Sequence, residues 1–223
     1  MASFSALGGR DPRDVGTYTI VEAATYLHLP STTLRQWISG ATRVIAIEPR
    51  RPPMLSFWNL VEAYVLAALR RHHEVPLQRV RRALRYVERE MGTRRPLIEE
   101  DFQTDGLDLF VSVDSGLVNA SREGQVEMRE VLQQSLRRVD RDPRGLVRRL
   151  FPWVTSDAEP REIEIDPTRA FGRLVVAGTG VPTATIAARF RAGDTLRGLK
   201  RDYGLTTEQV SAALRWHTDA RTR

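Results

Sequence analysis

The sequence predicts an α+β, mainly helical protein. Apolar residues recur at spacings of three and four in several segments, most regularly from Leu77 to Met91, which is typical of amphipathic helices. Short alternating segments, such as Leu107 to Val113, are typical of strands. With 223 residues, of which 41% are hydrophobic and 28% charged, the chain can form one large or two small packed domains.

Two short helices are predicted near the start of the chain, at Thr19 to His28 and Ser31 to Ser39. Leu29-Pro30 separates them, because proline interrupts a helical hydrogen-bond pattern. Ser31 is expected to be the N-cap of the second helix, and Gly40 its C-terminal stop. The pattern is that of a helix-turn-helix unit.

Two longer helices are predicted next. Asn59 to His72 is apolar on most of its circumference, so we expect a central, buried helix. Leu77 to Met91 has an apolar seam with arginines outside it. The seam is only about two heptads long, so it could pack on its own domain or across a homodimer, which we expect the protein to form.

The middle and the C-terminal part are predicted to mix short strands with helices. A hairpin is expected at Leu107 to Val113, after Asp105-Gly106, and a helix at Val126 to Val139. Thr206 and Gln209 have the spacing of a capping box. The other expected elements are strands at Ile163 to Ile165 and Leu174 to Val176, and helices at Thr183 to Arg191, Asp194 to Asp202 and Thr206 to His217. The last two helices form a second helix-turn-helix candidate.

Composition shifts divide the chain into five parts. Residues 1–16 are small and polar and are expected to be a disordered arm, and residues 154–160 read as a linker. Residues 17–92, which contain the first helix-turn-helix pattern, are expected to form an N-terminal domain, residues 93–153 an acidic middle segment, and residues 161–223 a C-terminal domain.

Charge is unevenly distributed along the sequence. The whole chain carries a formal charge of +6. The stretch from Arg70 to Arg95 has nine Arg and three Glu, whereas Ile98 to Glu130 has nine acidic residues and two Arg. A basic surface favours a polyanionic partner, and adjacent blocks of opposite sign indicate surfaces with different neighbours or a pairing across a dimer.

Several classes of site are not expected. The chain has no cysteine, which excludes disulfides and thiolate metal sites. Gly178-Thr179-Gly180 lacks the rest of a dinucleotide or P-loop motif, and the four histidines do not have zinc-ligand spacing. We therefore expect no catalytic residues, metal or cofactor. No segment resembles a signal peptide or membrane span, so a cytoplasmic location is expected.

The N-terminal helix pair resembles the DNA-binding unit of the MerR family. The matching residues are Tyr18, Thr19, Glu22, Ala23, Ala24, Leu27, Leu29, Thr33, Leu34, Arg35, Trp37 and Gly40. The resemblance implies that the second helix reads a DNA groove and that a wing follows it. The ligand-sensing part that usually follows in that family is missing here.

The residues expected to contact DNA lie on this second helix and on the wing. Leu34, Trp37 and Ile38 form the stripe that should be buried, which leaves the polar side chains to face a groove. Arginines on the wing suit phosphates. The expected DNA-binding residues are Thr32, Thr33, Arg35, Gln36, Arg43, Arg50 and Arg51.

Residues Ile165 to Trp216 resemble a small family of unknown function, numbered 433, found in bacterial toxin–antitoxin loci. The matching residues are Phe171, Gly172, Arg173, Val176, Ala177, Gly178, Thr179, Val181, Pro182, Thr183, Ile186, Gly193, Asp202, Tyr203, Gly204, Leu205, Gln209, Val210, Ala213 and Leu214. The family commonly has an arginine where this chain has Gly180.

Together the two resemblances indicate a VapB-type antitoxin. This implies a protein that is not an enzyme, silences a PIN-domain ribonuclease toxin and represses its own operon by binding operator DNA. Arginine could replace the metal in the carboxylate cluster of such a toxin. The residues expected to bind the partner are Gly124, Gln125, Arg173, Thr179, Gly180 and Pro182. The alternative is a MerR-like regulator that responds to a small molecule and has no toxin partner.

Overall fold

The computed structural model describes residues 10–40, 43–73, 76–99, 106, 110, 122–152 and 160–219. The chain divides into two compact units. The first comprises Asp14–Arg148, and the second comprises the chain from Arg149 onward with residues 10–13. The mainly helical α+β class is confirmed.

The first unit is built mostly from helices. Its helices are α1 (Ile20–Tyr26), α2 (Ser31–Ile38), α3 (Phe57–His73), α4 (Leu77–Met91) and α5 (Arg122–Arg137). Its strands are β1 (Tyr18–Thr19), β2 (Met54–Leu55) and β3 (Val139–Arg141). Strands β1 and β2 pair antiparallel, with Tyr18 opposite Leu55, so the segment after α2 returns to the start of α1.

Helix α3 forms the centre of the first unit. Its residues 57–68 are buried without interruption, as its apolar sequence predicts, and α5 packs against it. In α4 the predicted seam is also confirmed, because Val80, Ala83, Leu84 and Val87 are buried while its arginines lie outside that stripe. Gly92, with φ +65°, ends α4 in the left-handed conformation that glycine adopts readily.

Two local predictions for this unit are wrong. The N-cap of α2 is Pro30 rather than Ser31, which is the first helical residue and makes no capping hydrogen bond. The Pro30 carbonyl accepts the amides of Thr33 and Leu34, so the fixed φ of proline defines the start. Within the predicted hairpin Leu107 to Val113, Phe110 is helical and fully buried, and the other residues lie outside the described chain.

The second unit combines short strands with three helices. Strands β5 (Ile163–Ile165) and β6 (Leu174–Val176) pair antiparallel. The strand β4 (Val147–Leu150), whose last two residues belong to this unit, pairs antiparallel with β5 through Leu150 and Ile165. Helices α6 (Thr183–Arg191), α7 (Leu196–Tyr203) and α8 (Thr207–Asp219) follow. The predicted strands and helices of this region are confirmed. Trp216 of α8 is buried in its core.

The predicted capping box at α8 is present, since Thr206 N donates to Gln209 Oε1 (3.0 Å) and Gln209 N donates to Thr206 Oγ1 (3.2 Å).

The linker predicted at residues 154–160 lies outside the described chain except for Pro160. Residues 1–9 of the predicted arm also lie outside it, while Arg13 donates to Asp11 in the described part. The five-part division of the chain stays a prediction. No helix in the described part of the chain is both long and apolar enough to cross a membrane.

Candidate nucleic-acid interface and partner-binding module

Helix α1 has a capped start, and a tight turn connects it to α2. Thr19 caps α1 reciprocally: Glu22 N donates to Thr19 Oγ1 (3.1 Å), and Thr19 N donates to Glu22 Oε2 (2.9 Å). His28 adopts φ +50° in the turn before α2. Buried Ala23 and Ala24 leave space for the helices to approach closely. The predicted helix pair is therefore present, with a short connection.

Helix α2 has one buried and one exposed face. Leu34, Trp37 and Ile38 are at most 4% exposed, as predicted. Thr32, Arg35 and Gln36 are exposed, and Thr33 is half-buried. No ion pair of Arg35 occurs within the described part of the chain, and its carbonyl accepts the Ser39 amide at 3.0 Å. The polar face of α2 is thus available for contact with another molecule.

The loop between α2 and β2 adds basic side chains beside that helix. Val44 N and Ile45 N both donate to the Trp37 carbonyl, at 2.9 and 3.0 Å, which anchors the loop to α2. Arg43, Arg50 and Arg51 are exposed. The Arg50 guanidinium pairs with Glu48 at 3.1 Å, which offsets part of the positive charge.

A buried polar network beneath this loop could not be predicted from the sequence. Asn59 Nδ2 donates to the Ala46 carbonyl (2.9 Å) and to Glu62 Oε2 (3.0 Å). Arg95 Nη1 also donates to Glu62 Oε2, at 3.0 Å. Burial raises the pKa of Glu62 to about 7, against the opposing effects of Arg95 and Asn59. The partners come from three separate segments.

The network borders a cavity of about 360 Å³. Burial also raises the pKa of Glu88, which lies on its wall. The cavity is lined by Val44, Ala46, Ile47, Glu48, Glu62, Leu84, Glu88, Arg94, Arg95, Pro96 and Leu97. It therefore combines apolar surface with carboxylates and guanidinium groups.

The C-terminal unit contains a second buried polar cluster, centred on Glu164 of β5. The Glu164 side chain has no exposed surface and accepts hydrogen bonds from Arg149 Nη1 (3.3 Å) and Gly178 N (3.2 Å). It also forms an ion pair with Arg169 Nη1 at 3.5 Å. Asp166 accepts hydrogen bonds from Thr168 through Oδ1. These contacts tie β4, β5 and the turns on both sides of β6 together.

Four of the predicted partner-binding residues lie on these turns. Thr179 Oγ1 donates to the Val176 carbonyl (2.8 Å) and accepts the Val181 amide (3.1 Å), so it stabilises the turn between β6 and α6. Gly180 is exposed, and a Cβ there would have no neighbour within 4 Å. Pro182 is the N-cap of α6. Arg173 is exposed at the start of β6.

The two remaining predicted residues, Gly124 and Gln125, lie in the first turn of α5, in the other unit. The structure does not bring the six together within one unit. Among the described residues, no group of three or more His, Asp or Glu side chains is placed to hold a metal ion.

Charged residues also fasten the helices of the C-terminal unit. The Arg189 guanidinium of α6 contacts Asp194, lies 2.9 Å from Asp202 of α7, and stacks 5.4 Å from the Tyr203 ring centroid. The interactions with Arg189 and Arg201 lower the pKa of Asp202. These side chains satisfy one another within the unit.

Comparison with known proteins gives a family match within the C-terminal unit and relatives that align with most of the chain. Residues 163–216 match the family described as "Protein of unknown function (DUF433)". The chain is 30% identical to "Putative antitoxin VapB45" of Mycobacterium tuberculosis, over 90% of this chain and 93% of that protein. The chain belongs to the VapB-type antitoxin family. This VapB-family chain is also 27% identical to "Uncharacterized protein Rv2308" of the same organism, over 90% of each chain.

A solved structure resembles the VapB-family chain over nearly its whole length. The X-ray crystal structure of Rv2018 from Mycobacterium tuberculosis matches it with a TM-score of 0.72 and 27% identity. The match covers 90% of this chain and 98% of that one. The match therefore extends over residues of both units.

Proposed function

We propose that this VapB-family chain neutralises a PIN-domain ribonuclease toxin and represses its own operon by binding operator DNA. The observation that carries the proposal is the 30% identity to a protein named an antitoxin, which extends over both units. An antitoxin of this kind acts by binding rather than by catalysis, and we expect it to work in the cytoplasm as a homodimer.

The proposed DNA reader is the exposed face of α2 with the adjoining loop. Arg35 and Gln36 project from α2 without burial, and an arginine or glutamine can form paired hydrogen bonds with a base edge. Arg43, Arg50 and Arg51 lie on the anchored loop, where guanidinium groups suit phosphates. Two such readers in a dimer would contact half-sites about 34 Å apart.

The proposed toxin-binding part is the C-terminal unit, together with Gly124 and Gln125. The turns of that unit carry Arg173, Thr179, Gly180 and Pro182. One support is that residues 163–216 match a single family. Another is that these residues lie in one compact unit, which the buried cluster around Glu164 stabilises. A surface on a rigid module loses little entropy when a partner binds.

The proposal is tested by co-expressing the chain with the toxin reading frame that we expect beside its gene. We expect the full chain to restore growth, to co-purify with the ribonuclease, and to shift a promoter fragment in a gel. A chain that shifts the promoter but neither rescues growth nor retains the ribonuclease would contradict the antitoxin function.

The second candidate is a regulator that responds to a small molecule. The cavity of about 360 Å³ favours it, because Glu62 on its wall is linked through Asn59 to the loop proposed to bind DNA. A change of operator affinity caused by a small molecule, with no toxin partner, would support this candidate. Loss of that response in Glu62→Gln would assign it to the cavity.

A further inference from the structure

Phe171 is the most exposed large apolar side chain in the described part of the chain. Its residue surface is 86% exposed, against 64% for Val21, the next in order. A phenylalanine ring carries a large apolar area, whose exposure to water is unfavourable. A single exposed ring does not by itself indicate a binding site. The conformation of the backbone at Phe171 is the second observation that does.

That backbone is in a conformation that phenylalanine rarely adopts. Ala170, Phe171 and Gly172 have φ values of +45°, +56° and +73°. For the two non-glycine residues the left-handed region is unfavourable, because Cβ approaches the carbonyl oxygen. Residues held in such conformations persist where their surroundings fix them, and they occur frequently at functional sites.

The turn is fixed by hydrogen bonds on both sides of the ring. Arg169 N donates to the Asp166 carbonyl (3.0 Å), Gly172 N to the Arg169 carbonyl (2.9 Å), and Arg173 N to the Ala170 carbonyl (3.2 Å). The Arg169 guanidinium in turn lies 3.5 Å from buried Glu164. The ring is therefore presented to solvent on a rigid base rather than on a loose loop.

A rigid, exposed aromatic beside arginine has the composition of an interface anchor. Aromatic residues, phenylalanine included, and Arg are enriched at protein–protein interfaces, and buried aromatic anchors fill apolar pockets on the partner. Arg173 is exposed and forms no ion pair within the described residues. Since Glu164 and Asp166 offset the neighbouring arginines, the turn is only weakly basic, which favours a protein over a nucleic acid.

We propose that Phe171 is the anchor through which the C-terminal unit docks on its toxin. The ring inserts into an apolar pocket of the toxin, and Arg173 meets acidic groups at the rim of that pocket. The inference rests on the proposed antitoxin function and adds the contact point and its chemistry. Arg173 was predicted as a partner-binding residue, whereas Phe171 was identified only as a residue matching the family.

The test uses the full chain with Phe171→Asn, because asparagine tolerates a left-handed φ and lacks the ring. The matched control is Phe190→Ala, which removes a ring that is 44% exposed on α6 of the same unit. The affinity for the toxin that the co-expression test identifies is measured by calorimetry. We expect Phe171→Asn to weaken binding by about 30-fold or more, and Phe190→Ala by less than about threefold.

Further readouts separate the competing explanations. Phe171→Asn should retain the thermal midpoint, the oligomeric state and the operator affinity of the wild type. Unchanged toxin binding in Phe171→Asn would overturn the inference, as would equal losses in both variants. A loss confined to DNA binding or self-association would also overturn it and would assign the ring to those contacts. If the wild type itself does not bind the toxin, the proposed function fails.

Discussion

The proposed DNA-contacting surface and the C-terminal unit both contain several arginines, but they use them differently. Arg35, Arg43 and Arg51 form no ion pair within the described part of the chain, and Arg50 pairs with Glu48, whose side chain is exposed. In the C-terminal unit, Arg149 and Arg169 pair with buried Glu164, and Arg189 pairs with Asp194 and Asp202. Arginine content alone therefore does not locate a polyanion-binding surface, because guanidinium groups already held by carboxylates stabilise the fold.

The largest effect is expected from Glu164→Gln, which tests the structural role of arginine in the C-terminal unit. The change removes a buried negative charge from Arg149 and Arg169. The loss of these ion pairs should lower the free energy of unfolding by about 2 to 3 kcal/mol. The fall is smaller than for a fully buried pair because both guanidinium groups are partly exposed. Urea denaturation measures it.

The matched control for this prediction is Glu162→Gln, which changes a half-buried glutamate two residues away. It should alter the free energy of unfolding by less than about 0.5 kcal/mol. Equal effects of the two substitutions would show that Glu164 has no special role and would remove the contrast between the two regions.

The second prediction concerns pH and the network beneath the proposed DNA-binding loop. The pKa of Glu62 is raised from 4.5 to about 7, so the folded state retains a proton that the unfolded state has lost. Protonated Glu62 therefore stabilises the fold fully below pH 4.5, and this stabilisation is lost as the pH rises to about 7. Urea denaturation across this range should show the loss in the wild type and a smaller one in Glu62→Gln.

Glu48→Gln is the control for the pH dependence, because Glu48 is exposed on the same loop. Its pH profile should follow that of the wild type. A Glu62→Gln profile that also matches the wild type would mean that another group is responsible for the pH dependence.

The third prediction compares two arginines of the proposed DNA-contacting surface: Arg35, which forms no ion pair within the described residues, and Arg50, which pairs with Glu48. Arg35→Ala should weaken operator binding by about 1 to 3 kcal/mol and leave the thermal midpoint unchanged. Arg50→Ala should weaken binding to all DNA sequences alike and lower the salt dependence by about one unit of slope. Fluorescence anisotropy at several salt concentrations measures both effects.

Arg189→Ala should affect stability rather than DNA binding, because Arg189 pairs with carboxylates of its own unit. It should lower the thermal midpoint, because Asp194, Asp202 and Tyr203 lose a shared partner, and leave operator affinity unchanged. A loss of operator affinity in Arg189→Ala would instead favour the C-terminal helix-turn-helix candidate as a DNA-binding element.

The smallest effects concern two glycines of one turn. Gly178 has φ +76°, so Gly178→Ala should cost about 1 kcal/mol of stability. Gly180→Arg restores the residue common in the resembled family and enters open space, so it should change stability by less than about 0.5 kcal/mol. Thermal unfolding distinguishes the two. A large loss in Gly180→Arg would show that the turn does not tolerate the side chain.

Local patterns predicted most of the helices. The start of α8 was predictable because the Thr206–Gln209 pair acts within a few residues of the sequence. The strand predicted around Phe110 failed because an alternating pattern in a short apolar segment does not distinguish a strand from a buried helix. The paired strands β1 and β2 are two residues long and carry too little pattern to predict.

The site residues divide in the same way. Exposure of Arg35 and burial of Trp37 follow from the helical period, so sequence alone predicts them. The partners of Glu164 come from different strands and turns, and no local spacing indicates that they meet. The strained conformation at Phe171 likewise depends on hydrogen bonds that only the folded turn provides.

The central claim is that DNA binding and toxin binding depend on different residues of one chain. The most direct test measures both affinities for Arg35→Ala and Phe171→Asn in the full chain, with operator DNA and purified toxin. We predict that Arg35→Ala loses operator affinity and retains toxin affinity, and that Phe171→Asn does the reverse. Loss of both affinities in either variant, with the fold intact, would contradict the claim.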